Sequence, residues 1–105
     1  MENVNQKFSN LSKLSFGDAG VKAKLIDTFF ATAEKIVFSL EQAITNKDNA
    51  SWRNFSHELK SMCANLGAYN LYNLSLESEK SFNATEDLKR SLLGKITRNL
   101  ALLKK

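Results

Sequence analysis

His57 is the only histidine of the chain, and charged and small side chains surround its position on a predicted helix. Residues three or four places apart are neighbours on a helix surface. The neighbours of His57 are Arg53, Lys60 and Ser61, with Ala64 one turn further. A neutral imidazole is a nucleophile near pH 7 and needs no activating base. An outward imidazole between two cations is therefore the strongest candidate in this sequence for a chemical role.

The helix that carries His57 is predicted by apolar residues that recur at steps of three and four. They are Trp52, Phe55, Leu59, Met62 and Leu66. This spacing places them on one stripe of an α-helix. At 3.6 residues per turn, His57 lies about 200° around the helix from Phe55 and about 160° from Leu59. Its ring should therefore point away from the packed stripe.

The composition favours one all-α domain over residues 1–105. The chain is 43% hydrophobic and 25% charged, with no Pro and four Gly. A chain of this length builds a single core, and so few helix breakers favour helices throughout. One Cys cannot form an internal disulfide, and the sequence has neither a signal peptide nor a membrane-spanning run. We expect a cytoplasmic protein that binds no membrane, and a monomer.

The basic pI of 9.3 comes from the last helix alone. Residues 1–84 carry nine Lys and Arg against nine Asp and Glu, whereas residues 85–105 carry six against two. Within that segment the acidic residues come first and the basic residues come last, as a helix macrodipole favours. A solvated helix explains this charge, so we expect no nucleic-acid partner. Weak binding of DNA by the last helix ranks below the other interpretations.

Breaks and capping residues divide the chain into one short and four long predicted helices. The short helix lies within 5–15 and, with its turn, occupies 1–17. The bundle occupies 18–105: one helix covers 19–46, a second begins after Asp48 or Asn49, and two more cover 69–82 and 85–104. Asp18 is the expected N-cap of the first, Gly67 should end the second in a left-handed conformation, and Asn83 with Glu86 suggests a capping-box variant.

Short connections between the four long helices favour antiparallel neighbours. The predicted fold is therefore an antiparallel up-and-down four-helix bundle, with the short N-terminal helix capping one end. The core stripe of the last helix is expected at Leu88, Leu92, Ile96, Leu100 and Leu103. Gly94 interrupts this helix, and we interpret it as a close contact between helices.

The residues around His57 resemble the signature of histidine-containing phosphotransfer (HPt) domains. That family reads H-x-L-K-G, then a run of small residues ending in L-G-A, then a Leu. This chain has His57-Glu58-Leu59-Lys60-Ser61, then Asn65-Leu66-Gly67-Ala68, then Leu71. Upstream, Leu25-Ile26-Asp27-Thr28-Phe29 is similar to the family's usual second helix. The resemblance implies a helical bundle that carries a phosphoryl group in a multistep His–Asp relay of two-component signalling.

The resemblance also implies a role for each matching residue. His57 would accept a phosphoryl group from the aspartyl phosphate of one receiver domain and pass it to another receiver. Lys60, at +3, would hold the phosphoryl oxygens, and Gly67, at +10, would form a structural turn. Ser61 departs from the family's usual Gly at +4. Glu79 stands at +22, where the family often has a Gln or Glu that orients the imidazole; taken by itself, it is an exposed helix charge.

The chemistry of phosphoryl transfer agrees with these roles. Transfer depends mainly on positioning and charge neutralisation, and Lys60 supplies a cation one turn from the nucleophile. Arg53 could meet the acidic pocket of a receiver, while Ser61 and Ala64 leave room for two surfaces to approach. Mg²⁺ would belong to the receiver, and we expect this chain to bind no metal or other cofactor.

Other functions fit the sequence less well. A zinc protease helix needs a second His where Ser61 stands, and one His with one Cys provides too few ligands for a metal site. The chain lacks a Gly-rich nucleotide loop, so we expect no autokinase activity. The alternative that stays open is a helical-bundle adaptor that binds a receiver or another partner protein without taking phosphate.

Overall fold

Four long helices and one short helix form the regular structure of residues 7–105, the part of the chain that this computed structural model describes. They are α1 (Leu11–Leu14), α2 (Ala19–Thr45), α3 (Asn49–Leu66), α4 (Tyr69–Lys80) and α5 (Glu86–Lys104). The first residues of the predicted 5–15 helix lie outside the described range. Helix α4 ends two residues earlier than predicted, which leaves Phe82 in the turn before α5. No helix within 7–105 is long and apolar enough to cross a membrane.

Side chains at the predicted positions start α2 and α3. Asp18 accepts a hydrogen bond from the backbone N–H of Val21, and Asp48 accepts one from the N–H of Ser51. The bond from the Ser51 N–H is the main cause that lowers the pKa of the Asp48 carboxyl. The predicted capping box at the start of α5 is wrong, because Thr85 has the extended conformation of a cap and accepts from the N–H of Leu88.

The long helices form the predicted antiparallel bundle. Connections of 3, 2 and 5 residues, at 46–48, 67–68 and 81–85, reverse the chain between consecutive helices, and connections this short favour antiparallel neighbours. Helices that are consecutive along the chain contact each other, and α2 also contacts α5, which closes the bundle. Gly67 ends α3 with a left-handed φ of 81°, as predicted.

The buried stripe of α3 lies further around the helix than the apolar residues predict. Its members are Trp52, Ser56, Leu59, Cys63 and Leu66. Phe55 and Met62 are only partly buried, because they face α2 rather than the centre of the bundle. The small residues Ser56 and Cys63 thus lie at the centre in place of Phe55 and Met62. Burial raises the pKa of the Cys63 thiol to about 12.

The stripe of α5 also differs from the prediction. Leu88 is exposed, and Lys89 is buried in its place. The Lys89 ammonium donates to the side-chain oxygen of Asn49 and lies 5.6 Å from the centre of the Trp52 ring. Burial lowers the pKa of Lys89. Gly94 faces open space, and a Cβ added there would meet nothing within 4 Å, so its interpretation as a close helix contact is wrong.

The segment before α2 covers the α3–α4 end of the bundle, as predicted for the short helix. The backbone N–H of Asn10 donates to the carbonyl of Leu66 over 3.0 Å. The Phe8 ring contacts Phe29 and Phe30 of α2 edge to face. These contacts attach the segment both to α2 and to the turn after α3.

Candidate functional site

Small buried side chains let α3 and α4 pack closely in the interior beneath the exposed ring of His57. The hydroxyls of Ser56 and Ser78 hydrogen-bond each other over 2.6 Å, and the Trp52 indole N–H donates to the carbonyl of Ser78 over 2.8 Å. All of these groups are buried, and within residues 7–105 no buried side-chain N or O atom lacks a hydrogen-bond partner. Because both bonds hold Ser78, the next residue of α4, Glu79, is fixed in place relative to α3.

The His57 ring is exposed and bonded to Glu79. Its side chain is 59% exposed, and its Nδ1 lies 2.5 Å from Oε2 of Glu79. An ionised carboxylate only accepts hydrogen bonds, so Nδ1 carries the proton and donates it. The Nε2 atom of the neutral ring then holds the free lone pair. The contact fixes the tautomer of the ring as well as its orientation.

Lys60 contacts the same carboxylate. Its Nζ lies 2.6 Å from Oε1 of Glu79, and both side chains are about four-fifths buried. The hydrogen bond from Lys60 is the main cause that lowers the pKa of Glu79, with a smaller contribution from the bond to His57 and an opposing one from burial. Glu79 is therefore an ionised bridge between imidazole and ammonium. The interpretation of Glu79 as an exposed helix charge is wrong.

Arg53 and Phe82 form the other wall of the site. The Arg53 guanidinium lies 4.9 Å from the centre of the Phe82 ring, a cation–π contact that fixes its position. Both residues line a cleft of about 640 Å³ that also contains His57 and Glu79. We refer to it as the site cleft. The sequence predicts Phe82 at the end of the 69–82 helix, and its actual placement in the turn after α4 explains why it stands beside Arg53.

The remaining candidates lie along α3 away from the cleft. Ser61 and Ala64 are exposed and small, on the side of α3 that carries His57. Gly67 is buried at the end of the helix, where a side chain would collide with Ser9 and Asn10. The fold thus brings His57, Lys60 and Glu79 into contact, while Gly67 acts only on the end of the helix. In residues 7–105 no three His, Cys, Asp or Glu side chains cluster as metal ligands, and binding of Mg²⁺ by the receiver stays a prediction.

Comparisons with known proteins agree with this geometry. A family model described as the Hpt domain matches residues 24–104. The solved structure of histidine-containing phosphotransfer protein B (HptB) from Pseudomonas aeruginosa PAO1 matches with a TM-score of 0.80 and 26% sequence identity. The match covers 90% of this chain and 84% of that chain. A comparison with curated proteins gave no match.

Proposed function

The chain belongs to the Hpt domain family of histidine phosphotransfer carriers, and we propose that His57 is the residue that carries the phosphoryl group between receiver domains. The observation that supports this most directly is the exposed imidazole, whose Nδ1 is bonded to a carboxylate while Nε2 keeps its lone pair. A ring held in this way is ready to attack a phosphorus atom without a further base.

The transfer step follows from this arrangement. The Nε2 lone pair of His57 attacks the phosphorus of an aspartyl phosphate, and the bond from phosphorus to the aspartyl oxygen breaks. The leaving carboxylate takes the bonding electron pair, so no proton has to move. The phosphorylated ring is then cationic, and Glu79 stabilises the Nδ1–H that shares this charge. The reverse of the same step delivers the phosphoryl group to a second receiver.

Lys60 neutralises the arriving charge. An ammonium has three N–H donors, so it can hold Oε1 of Glu79 and a phosphoryl oxygen together. Its bond to Glu79 keeps it beside the ring before the phosphoryl group arrives, which lowers the cost of ordering a flexible side chain. In this proposal Mg²⁺ is held by the receiver, and the chain takes its phosphoryl group from aspartyl phosphate rather than from ATP.

The experiment uses phosphorylated receiver domains with Mg²⁺ and compares the wild type with His57→Gln. We expect an acid-labile label on the wild type and none on the variant, whose amide cannot act as the nucleophile. A label on His57→Gln would show that another residue accepts the phosphoryl group. If the wild type binds a receiver firmly but stays unlabelled, the adaptor interpretation replaces this one.

A further inference from the structure

Ser61 has a free side-chain hydroxyl on the exposed side of α3 that carries His57. Serines and threonines within a helix can donate back to the carbonyl four residues earlier. Ser39, Ser75 and Thr97 do so in this fold, over 3.0, 2.8 and 2.8 Å. For Ser61 that carbonyl belongs to His57, yet in the part of the chain that the structure describes the hydroxyl bonds neither to it nor to any other group. The hydroxyl is therefore available to a group that arrives at this surface.

The helix directs the Ser61 side chain towards the His57 ring. The two residues are four positions apart, which is about 6 Å along the helix and about 40° around it. The Cα–Cβ bonds of a helix tilt towards its N-terminus. A side chain one turn after His57 therefore leans towards the ring, whereas a side chain one turn before it leans away. Arg53 is in that earlier position, and its guanidinium lies against Phe82.

Lys60 and Ser61 flank the ring on two different sides. Lys60 lies about 60° around the helix from His57 in the direction of α4, where its ammonium bonds Glu79. Ser61 lies about 40° from His57 in the other direction, on an exposed face. A phosphoryl group has three oxygens that accept hydrogen bonds. Lys60 serves the side of such a group that faces α4, and Ser61 is the donor on the opposite side.

We propose that the Ser61 hydroxyl donates a hydrogen bond to a phosphoryl oxygen on His57 and so stabilises the phosphorylated state of the carrier. This inference rests on the proposed function. Ser61 takes no covalent part, because the phosphorus bonds to Nε2 of His57 and the hydroxyl keeps its proton. A hydrogen bond to an ionised oxygen is shorter and stronger than one between neutral groups. The Gly of the H-x-L-K-G signature has no donor at this position, so Ser61 adds a contact that the signature lacks.

This hydrogen bond acts on the balance between carrier and receiver. It exists only while His57 is phosphorylated, so it favours the labelled carrier over the labelled receiver at equilibrium. An exposed hydroxyl gives up a bond to water when it binds the phosphoryl oxygen, and the net contribution of such a bond is modest. The expected effect is therefore a change of several-fold in the position of the equilibrium.

The test measures how a phosphoryl label distributes at equilibrium between a receiver domain, with Mg²⁺, and this protein. In Ser61→Ala we expect the ratio of labelled carrier to labelled receiver to fall about fivefold, as for the loss of one hydrogen bond. Ser61→Gly should give a similar fall, because it also lacks the hydroxyl. Ser91→Ala, at an exposed serine of α5, is the matched control and should leave the ratio in place. Urea unfolding curves establish that each variant is folded.

The ³¹P resonance of the phosphorylated ring provides a second readout. Loss of a donor to a phosphoryl oxygen should shift this resonance in Ser61→Ala and leave it in place in Ser91→Ala. A residue that acts only on the stability of the helix would not move the resonance. The shift therefore separates a contact with the phosphoryl group from a structural role of Ser61.

A label ratio in Ser61→Ala equal to that of the wild type, or an unshifted resonance, would overturn this proposal and leave the proposed function intact, since His57 is still labelled. A change in Ser61→Gly alone would mean that the size of Ser61 matters and its hydroxyl does not. An acid-stable label that Ser61→Ala abolishes would mean that the hydroxyl itself accepts the phosphoryl group. Either result also overturns the proposed hydrogen bond. Absence of any acid-labile label on the wild type would contradict the proposed function, and this inference with it.

Discussion

The two sides of α3 are built in opposite ways. Towards α4 the helix buries Ser56, whose hydroxyl bonds that of Ser78, and no buried side-chain N or O atom within residues 7–105 lacks a hydrogen-bond partner. Towards α2 it presents large apolar residues such as Met62, which stay partly exposed and line an open groove. The first side fixes the imidazole and its carboxylate to within hydrogen-bond distance. The second side leaves apolar side chains partly exposed along the groove.

This difference separates a closely packed side of α3 from an apolar side that stays partly exposed. The phosphoryl transfer that we propose at His57 needs atoms held in place, and close-packed interiors provide this because they tolerate little change in volume. Docking of a transient partner needs apolar area that the protein itself does not cover. Substitutions on either side of α3 should therefore have different consequences, which we consider from the largest expected effect to the smallest.

Filling the α3–α4 interface should have the largest effect. Ser56→Leu inserts extra volume at a fully buried position and leaves the Ser78 hydroxyl without its partner. We expect the free energy of unfolding in urea to fall by about 1–3 kcal/mol, with loss of phosphotransfer as Glu79 moves. Ser91→Leu, at an exposed position of α5, should change it by less than about 0.5 kcal/mol. Equal losses in both variants would contradict the tight packing of this interface.

Two glycines, Gly67 at the end of α3 and Gly94 within α5, allow a matched comparison. In Gly67→Ala the new Cβ would collide with Oγ of Ser9 and lie 2.9 Å from N of Asn10, at a φ of 81°. We expect a loss of about 1–3 kcal/mol in unfolding free energy. Gly94→Ala meets nothing within 4 Å in a helix and should gain about 0.5–1 kcal/mol. Thermal or urea unfolding measures both, and effects of the same sign would contradict the contacts of Gly67.

Lys60→Ala tests the positive charge that pairs with Glu79, on the side of α3 that faces α4. Loss of the ammonium should slow phosphoryl transfer about tenfold, the equivalent of about 1.4 kcal/mol, while the helix content stays unchanged in circular dichroism. Lys80→Ala, an exposed lysine of α4, serves as the control. Single-turnover experiments measure the transfer rates of the wild type and both variants. An unchanged rate in Lys60→Ala would remove this residue from the site.

Phe16→Gly tests the stability cost of an aromatic residue with a positive φ in the turn before α2. Glycine adopts a positive φ without the steric cost that a side chain carries there, although it adds freedom to the unfolded chain. We expect the unfolding free energy, measured in urea, to stay level or rise by up to about 1 kcal/mol. A clear loss of stability would mean that the exposed Phe16 ring contributes to the fold.

The smallest effect concerns the pH dependence that Glu79 confers. Its native pKa is lowered, chiefly by the bond from Lys60, so its contribution to stability is complete above the unfolded-state pKa of about 4.3. That contribution disappears as the pH falls through the lowered native value. The wild type should therefore exceed Glu79→Gln in unfolding free energy by less than about 1 kcal/mol at pH 7, and by still less near pH 3. A difference that grows towards acid would contradict the ion pair.

The sequence predicted those features that depend on neighbours along the chain. Local spacing predicts the helical bundle and the outward direction of His57. It also predicts the caps Asp18 and Asp48 and the end of α3 at Gly67. Trp52 is buried, as its place in the apolar stripe predicts. Each of these properties is decided within one or two helical turns, which is the range over which periodicity carries information.

The features that sequence reasoning missed depend on contacts between helices. The contact of Glu79 with His57 was implied by the family resemblance, but local spacing does not predict it. It requires Ser56 and Ser78 to let α3 and α4 come close, and hydropathy ranks both serines as surface residues. The sequence signal that could have identified this close contact is a set of small residues on α3 that matches a set of small residues on α4. Lys89 is buried because it lies over the Trp52 ring, a contact that no stripe of apolar residues reveals.

The sharing of Glu79 between two donors has a consequence for how a partner approaches. At a distance, the charges of Lys60 and Glu79 form a compact dipole whose field decays faster than that of a single ion. The guanidinium of Arg53, stacked on Phe82, is then the group of this site that an acidic surface senses from afar. In the proposed mechanism Lys60 becomes effective only after contact, when a phosphoryl oxygen enters the space beside it. Long-range attraction of a partner and short-range binding of the phosphoryl group would therefore depend on different side chains, Arg53 and Lys60.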